Sequence, residues 1–168
     1  MFSFTESDKA CRWRRRKEAR PQELLAAALE LFVERGFAAT RLDDVAKRAG
    51  VSKGTLYLYF TSKEELFKAV VRENIIPMIG KAEETVDQFT GTSSDLMQEI
   101  MLTWWEQMGE TALSGICKLM IAEAGNFPEL AQFYQTEVIN RSEAMITRML
   151  QRGIERGGAV KVVARRGR

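Results

Sequence analysis

Residues 40–66 read TRLDDVAKRAGVSKGTLYLYFTSKEEL, and no other stretch restricts the fold so tightly. Leu42, Val45, Ala46 and Ala49 recur at helical spacing and make one apolar stripe. Gly50 follows at once, and glycine enters the left-handed conformation that closes a helix. Ser52 suits the N-cap of a second short helix, expected to run to about Phe60. Ala46 is small enough to let two helices approach closely, and Leu56 is placed to plug the second one into a core. Thr40 is the expected N-cap of the first helix, with Asp43 as an acid at the third position; Ser62 and Glu65 form a capping box that opens a further helix. Two short helices joined by a tight glycine turn constitute a helix-turn-helix. An ordinary helical hairpin would not need Ser52, Lys53, Gly54 and Thr55 facing outward together.

The flanking sequence keeps the helical period. Upstream, Leu24, Leu25, Ala28, Leu31 and Phe32 form a stripe that Gly36 ends, so four helices in about fifty residues surround the motif, with Phe37 and Phe60 expected at the centre. Downstream, Leu66, Phe67, Val70 and Val71 continue the fourth helix. Pro77 is expected to kink or break it near Ile76, because proline removes a helical donor and clashes with the preceding turn. Residues 91–94 read as a loop. Met97, Ile100, Met101, Trp104 and Met108 predict an amphipathic helix, and Ile116, Leu119 and Met120 a short one. After a break at 126–128, Leu130, Phe133, Tyr134, Val138, Met145, Met149 and Ile154 predict one last helix of about 28 residues. No alternating strand pattern occurs. The expected class is all-α: an N-terminal three-helix helix-turn-helix domain joined by a long helix to a C-terminal helical regulatory domain. The expected divisions are a basic, flexible leader (1–20), the motif domain (21–66), the helical body (67–157) and a basic tail (158–168).

Charge is divided unevenly. Residues 1–68 hold fourteen basic and ten acidic side chains, residues 69–157 seven basic and thirteen acidic, and residues 158–168 four basic and none acidic. A near-neutral total thus hides a basic head and an acidic body, the split expected of a chain with one nucleic-acid-facing end. Arg12, Arg14, Arg15, Arg16, Lys17 and Arg20 form the densest basic run. It reads either as an arm following DNA phosphates or as a solvated leader.

Several chemistries are excluded or disfavoured. Histidine is absent, which removes histidine-based zinc sites, serine–histidine triads and histidine proton switches. Two cysteines, Cys11 and Cys117, suggest no disulfide framework and fit a reducing cytoplasm. The paired acids Asp43–Asp44 and Glu64–Glu65 suit helix starts better than catalysis, since adjacent helical residues point about 100° apart. The chain is therefore not expected to be an enzyme, and no metal or cofactor is called for. No apolar run approaches the roughly 20 residues that span a bilayer, and the N-terminus is too polar for a signal peptide.

From about Pro21 to Leu66 the chain resembles the N-terminal DNA-binding domain of the TetR/AcrR family of transcriptional regulators. The matching residues are those from Phe32 to Gly36, Thr40, Val45, Ala46 and the run GVSKGTLYLYFTSKEEL from Gly50 to Leu66. The resemblance implies a repressor that binds a palindromic double-stranded operator as a homodimer and leaves it when a small molecule enters the C-terminal domain. It implies that Thr40 bonds a phosphate, that Lys53, Gly54 and Thr55 approach base edges, that the capping Ser52 belongs to the same DNA-binding surface, and that Tyr57, Tyr59 and Lys63 hold phosphates. This agrees with the general division in which phosphate contacts set register and few side chains read bases. The family often has an aromatic residue or histidine at position 58 and histidine at 59; here they are Leu58 and Tyr59.

Seven of the eight methionines follow Pro77, together with several aromatics. With the resemblance, Met101, Trp104, Trp105, Met108, Ile116, Met120, Phe133 and Tyr134 become the expected lining of a pocket for a small apolar or amphipathic effector. The family usually carries two further C-terminal helices that form a dimer interface, and this sequence has no room for them after Gly157. The alternative expectation is an interaction fragment with a DNA-binding head and no effective repressor dimer. Neither reading involves a membrane.

Overall fold

A computed structural model describes the backbone of residues 6–109 and 111–156, and the side chains of 21–109 and 111–156. Every regular element among them is helical. The chain divides into two compact units, Met1–Val70 and Val71–Arg168.

The first unit contains α1 (Glu6–Ala39), α2 (Leu42–Arg48), α3 (Lys53–Tyr57) and the greater part of α4 (Lys63–Asn74). The expected stripe on α1 is buried throughout, Leu24, Leu25, Ala28, Leu31 and Phe32 all facing the core. At Gly36 the backbone leaves the helix with φ 81° and ψ 167°, a conformation that needs glycine, and the turn drives Phe37 inward. Phe32 and Phe37 stack with centroids 5.5 Å apart, and Phe67 of α4 meets both edge-on at 5.5 and 5.6 Å. Phe67 thus takes the central place expected for Phe60. Phe60 remains partly exposed beyond α3, which stops at Tyr57, three residues short of the expected end.

The second unit contains the end of α4, then α5 (Ile76–Gln88), α6 (Ser93–Trp104), a π-helical turn (Trp105–Gly109), α7 (Leu113–Glu123), α8 (Pro128–Tyr134), a second π turn (Gln135–Ile139) and α9 (Asn140–Glu155). Pro77 breaks the helix as expected and sits in the first turn of α5, where its missing N–H is not needed. The carbonyls at the end of α5 are satisfied from α9: Arg152 donates to Val86 O at 2.7 Å and to Phe89 O, and Arg156 to Gly91 O at 3.3 Å. The following loop spans 89–92 rather than 91–94, because Thr92 already caps α6 by accepting from Asp95 N at 3.2 Å. Val86, Leu96, Met145 and Met149 form one core, with Ala82, Phe89 and Ile100 against it.

One expected stripe is rotated and another departs only at its end. On α6 the buried residue is Leu96, whereas Met97, Met101 and Trp104 face outward. The last helix passes through the π turn with Leu130, Tyr134, Val138, Met145 and Met149 buried as expected, and only near its end does it depart, with Gly153 buried and Ile154 exposed. A Cβ at Gly153 would lie 3.3 Å from both Cβ and Oγ of Ser93, so the helices cross there at a distance that suits glycine.

Candidate nucleic-acid interface

The turn between α2 and α3 is closed by two backbone hydrogen bonds. Gly50 N donates to Lys47 O at 3.2 Å and Val51 N to Ala46 O at 2.9 Å, the pairing of a Schellman motif. Gly50 sits at φ 67°. Nothing lies within 4 Å of a Cβ placed there, so backbone conformation rather than space demands the glycine. Ala46 and Leu56 are buried on either side, as expected. Ser52 Oγ accepts from Thr55 N at 3.1 Å and lies 2.8 Å from Thr55 Oγ1, which starts α3 and fixes the Thr55 rotamer. At the head of α4, Glu65 N donates to Ser62 Oγ at 3.1 Å, while the Glu65 carboxylate accepts from Thr61 N at 3.0 Å and from the Thr61 hydroxyl. The box therefore closes one residue further back than the usual pattern. Those hydrogen bonds hold the Glu65 carboxyl below its ordinary pKa.

This framework presents Ser52, Lys53, Gly54, Tyr57 and Leu58 to solvent, with Thr55 and Tyr59 half-buried. Lys53 does not stand free. Its ammonium lies 2.8 and 2.9 Å from the two carboxylate oxygens of Asp43 on α2, and 5.9 Å from the centre of the Tyr57 ring. Asp43 is the main cause of the raised Lys53 pKa. Sequence alone did not mark Asp43 as part of this surface; ten residues separate it from Lys53, and only the turn brings them together.

Two expected contacts have other work inside the chain. Thr40 is not the N-cap of α2; Arg41 occupies that position without a side-chain hydrogen bond. Thr40 is 1% exposed, its hydroxyl 2.7 Å from Gly36 O and 3.1 Å from Leu31 O, so it closes the end of α1. Lys63 donates to Phe37 O at 2.7 Å and Ala38 O at 3.1 Å, and its ammonium sits 4.5 Å from the centre of the Phe37 ring. It ties the start of α4 to the end of α1.

Gly54 is different from Gly50. Its φ is not in the left-handed region, and a Cβ would meet only Ser52 Oγ at 3.9 Å, an ordinary contact. Glycine within a helix costs about 0.5–1 kcal/mol against alanine, and nothing among the described residues requires it at 54. Gly54→Ala is expected to stabilise the unit slightly in a thermal melt. If another molecule packs closely on α3, the same change will weaken its binding by about 1–3 kcal/mol, as overpacking does. Gains in both stability and DNA affinity would rule out close approach at this point.

The eight expected effector residues do not form one group. Met108, Ile116, Met120 and Tyr134 are buried and Phe133 is partly so, but Met101, Trp104 and Trp105 are 56%, 50% and 57% exposed. The inner side of α6 belongs to Leu96 and Ile100, and the change to a π turn at Trp105 brings Met108 inward while the two tryptophans face out. The buried subset has polar edges. Tyr134 OH lies 3.2 Å from Cys117 Sγ, and burial, then this hydrogen bond, push the phenol pKa well above its ordinary value. The Arg72 guanidinium lies 4.9 Å from the centre of the Phe133 ring and 3.8 Å from Glu137, and Arg141 pairs with Glu83 at 2.6 Å.

Residues 24–70 match the family described as bacterial regulatory proteins, tetR family, and residues 95–161 match the AefR-like transcriptional repressor C-terminal domain. The HTH-type transcriptional repressor KstR2 of Mycolicibacterium smegmatis is 30% identical over 142 residues, 83% of this chain and 67% of that protein. The chain belongs to the TetR family. The HTH-type transcriptional activator FasR of the same organism is 40% identical over 70 residues, covering 42% of this chain and 32% of its own length. The matched region therefore spans about a third of FasR and two-thirds of KstR2. The solved fatty acid degradation regulator FadR from Bacillus halodurans shares the TetR fold with a TM-score of 0.70 at 23% identity, over 83% of this chain and 70% of that one. The TetR-family assignment covers both units, including the helical body that the sequence alone matched only by pattern. Among the described residues, no helix is long and apolar enough to cross a membrane.

Proposed function

We propose that this chain is a sequence-specific DNA-binding transcriptional regulator that acts as a repressor. In this reading α3 enters the major groove, Lys53 and Thr55 meet base edges, Gly54 admits a close backbone approach, and Tyr57 and Tyr59 hold phosphates through their hydroxyls. The observation that carries it is α3 itself: a five-residue helix held by a Schellman turn and a Ser52 cap, presenting a glycine that the chain's own packing does not require. The repressor sense is supported by the match to a repressor C-terminal domain. Selection of bound duplexes from a random pool tests the reading. A recovered motif with two symmetric half-sites supports it; recovery of no motif at all would sink it.

The effector in this reading is a small apolar or amphipathic molecule that loosens DNA binding by entering the second unit near Met108, Ile116, Met120 and Tyr134. Their apolar surfaces and the nearby Tyr134–Cys117 pair support such chemistry. A palindromic operator also requires two copies, with reading helices about 34–36 Å apart. Ile146, Leu150 and Ile154 lie exposed along α9 and offer apolar surface to a second copy. Sedimentation over a concentration series, with and without the selected duplex, tests this: a chain that stays monomeric on a symmetric site removes the dimer reading and favours the interaction fragment.

A further inference from the structure

We propose that Asp43 is a specificity-determining residue of the DNA-binding surface: it neutralises Lys53 toward phosphates while leaving the lysine able to reach a base edge. This rests on the reading of α3 as the helix that meets bases.

Both carboxylate oxygens of Asp43 lie within hydrogen-bond distance of the Lys53 ammonium, at 2.8 and 2.9 Å. The two side chains are 61% and 58% exposed, for Lys53 and Asp43 in that order. An ion pair so open to water contributes little to folding, so stability gives no strong reason for it. Its electrostatic consequence is larger. Charge of both signs within 3 Å looks nearly neutral from a Debye length of roughly 8 Å, and non-specific attraction to DNA comes from lysine and arginine neutralising phosphates.

The same arrangement recurs across the motif. Arg48 pairs with Glu30 at 2.9 Å and Glu34 at 3.0 Å, and Arg35 with Glu34 and Asp44 at 3.4 and 3.5 Å. Arg41 and Lys47 are exposed and have no ion-pair partner among the described residues. Three of the motif's cations, Arg35, Arg48 and Lys53, are thus matched by its own acids, which restrains binding to arbitrary phosphate.

Lysine has three N–H donors and no acceptor. A phosphate competing for Lys53 must take it from Asp43 and meets a second negative charge there. Guanine offers the neutral acceptors O6 and N7, and these can take the remaining N–H while the Asp43 pair persists. Asp43 therefore raises the cost of the phosphate contact more than that of the base contact.

The test compares the full chain with Asp43→Asn, Asp43→Glu, Asp43→Ser and Lys53→Ala. Each is titrated with the duplex recovered by selection and with a scrambled duplex of equal length, over a salt series, after its melting temperature is recorded. Asp43→Asn is expected to bind the scrambled duplex several-fold more tightly, with a log affinity against log salt slope steeper by about 0.9, one added phosphate contact. Affinity for the selected duplex should rise less, so the ratio between the two falls. Asp43→Ser, which keeps a helix-start side chain without the charge, should repeat this, and Asp43→Glu should behave as the parent. Unchanged scrambled-duplex affinity and slope in Asp43→Asn and Asp43→Ser would overturn the proposal, as would equal weakening on both duplexes. If the parent shows no preference for the selected duplex, or Lys53→Ala binds as the parent does, the failure lies with the reading of α3.

Discussion

Phe37→Ala will cost the first unit about 3–5 kcal/mol, the range for removing a buried phenylalanine side chain. Phe37 is fully buried, stacks on Phe32, receives the edge of Phe67 and lies under the Lys63 ammonium. Its removal opens a cavity where α1 and α4 meet and takes away the ring over which Lys63 is held. A domain's whole stability is about 5–15 kcal/mol, so a loss of this size leaves a substantial part of the unit unfolded on modest heating. Urea titration followed by circular dichroism measures it, and DNA affinity should fall with the folded fraction. Leu58→Ala is the control: Leu58 is 82% exposed, and exposed substitutions usually stay within about 0.5 kcal/mol. If the two variants unfold at the same urea concentration, the three-ring cluster does not hold this unit together.

The second large effect concerns recognition. Lys53→Ala should weaken binding to the selected duplex by about 1–3 kcal/mol and relax preference at one base pair. The loss has two sources, the missing donor and the Asp43 carboxylate left facing DNA without its partner. The double variant Asp43→Asn/Lys53→Ala should therefore bind better than Lys53→Ala alone. Tyr57→Phe removes a hydroxyl expected on phosphate and should weaken selected and scrambled duplexes alike. Gel-shift titrations on both duplexes separate the two patterns. If both single variants bind as the parent does, α3 does not read the sequence.

What residues 40–66 determined by themselves was local. Gly50 in the left-handed region, Ser52 capping α3 and Ser62 receiving the Glu65 N–H each involve partners within a few positions. Such interactions are set by backbone geometry and side-chain reach, so they are legible before any tertiary contact exists. The apolar stripes on α1 and α7 were legible for a related reason: each is uninterrupted α-helix where the spacing counts.

The rest depended on distances the chain does not encode locally. Thr40 looks like a cap until the carbonyls of Leu31 and Gly36 are found within reach of its hydroxyl, and Lys63 looks free until the end of α1 is placed beside it. Phe67 rather than Phe60 completed the aromatic centre, because α4 brings its ring against both Phe32 and Phe37. On α6 the face of Leu96 and Ile100 packs inward, so Met101 and Trp104 turned outward, while the close crossing at Ser93 put Gly153 inside in place of Ile154. The Lys53–Asp43 pair belongs to the same class: each residue alone reads as an exposed charge, and only the closed turn between α2 and α3 brings ammonium and carboxylate within hydrogen-bond distance. Helical period identifies a face, but what covers that face, and which charge meets which, is decided by elements arriving from elsewhere in the chain.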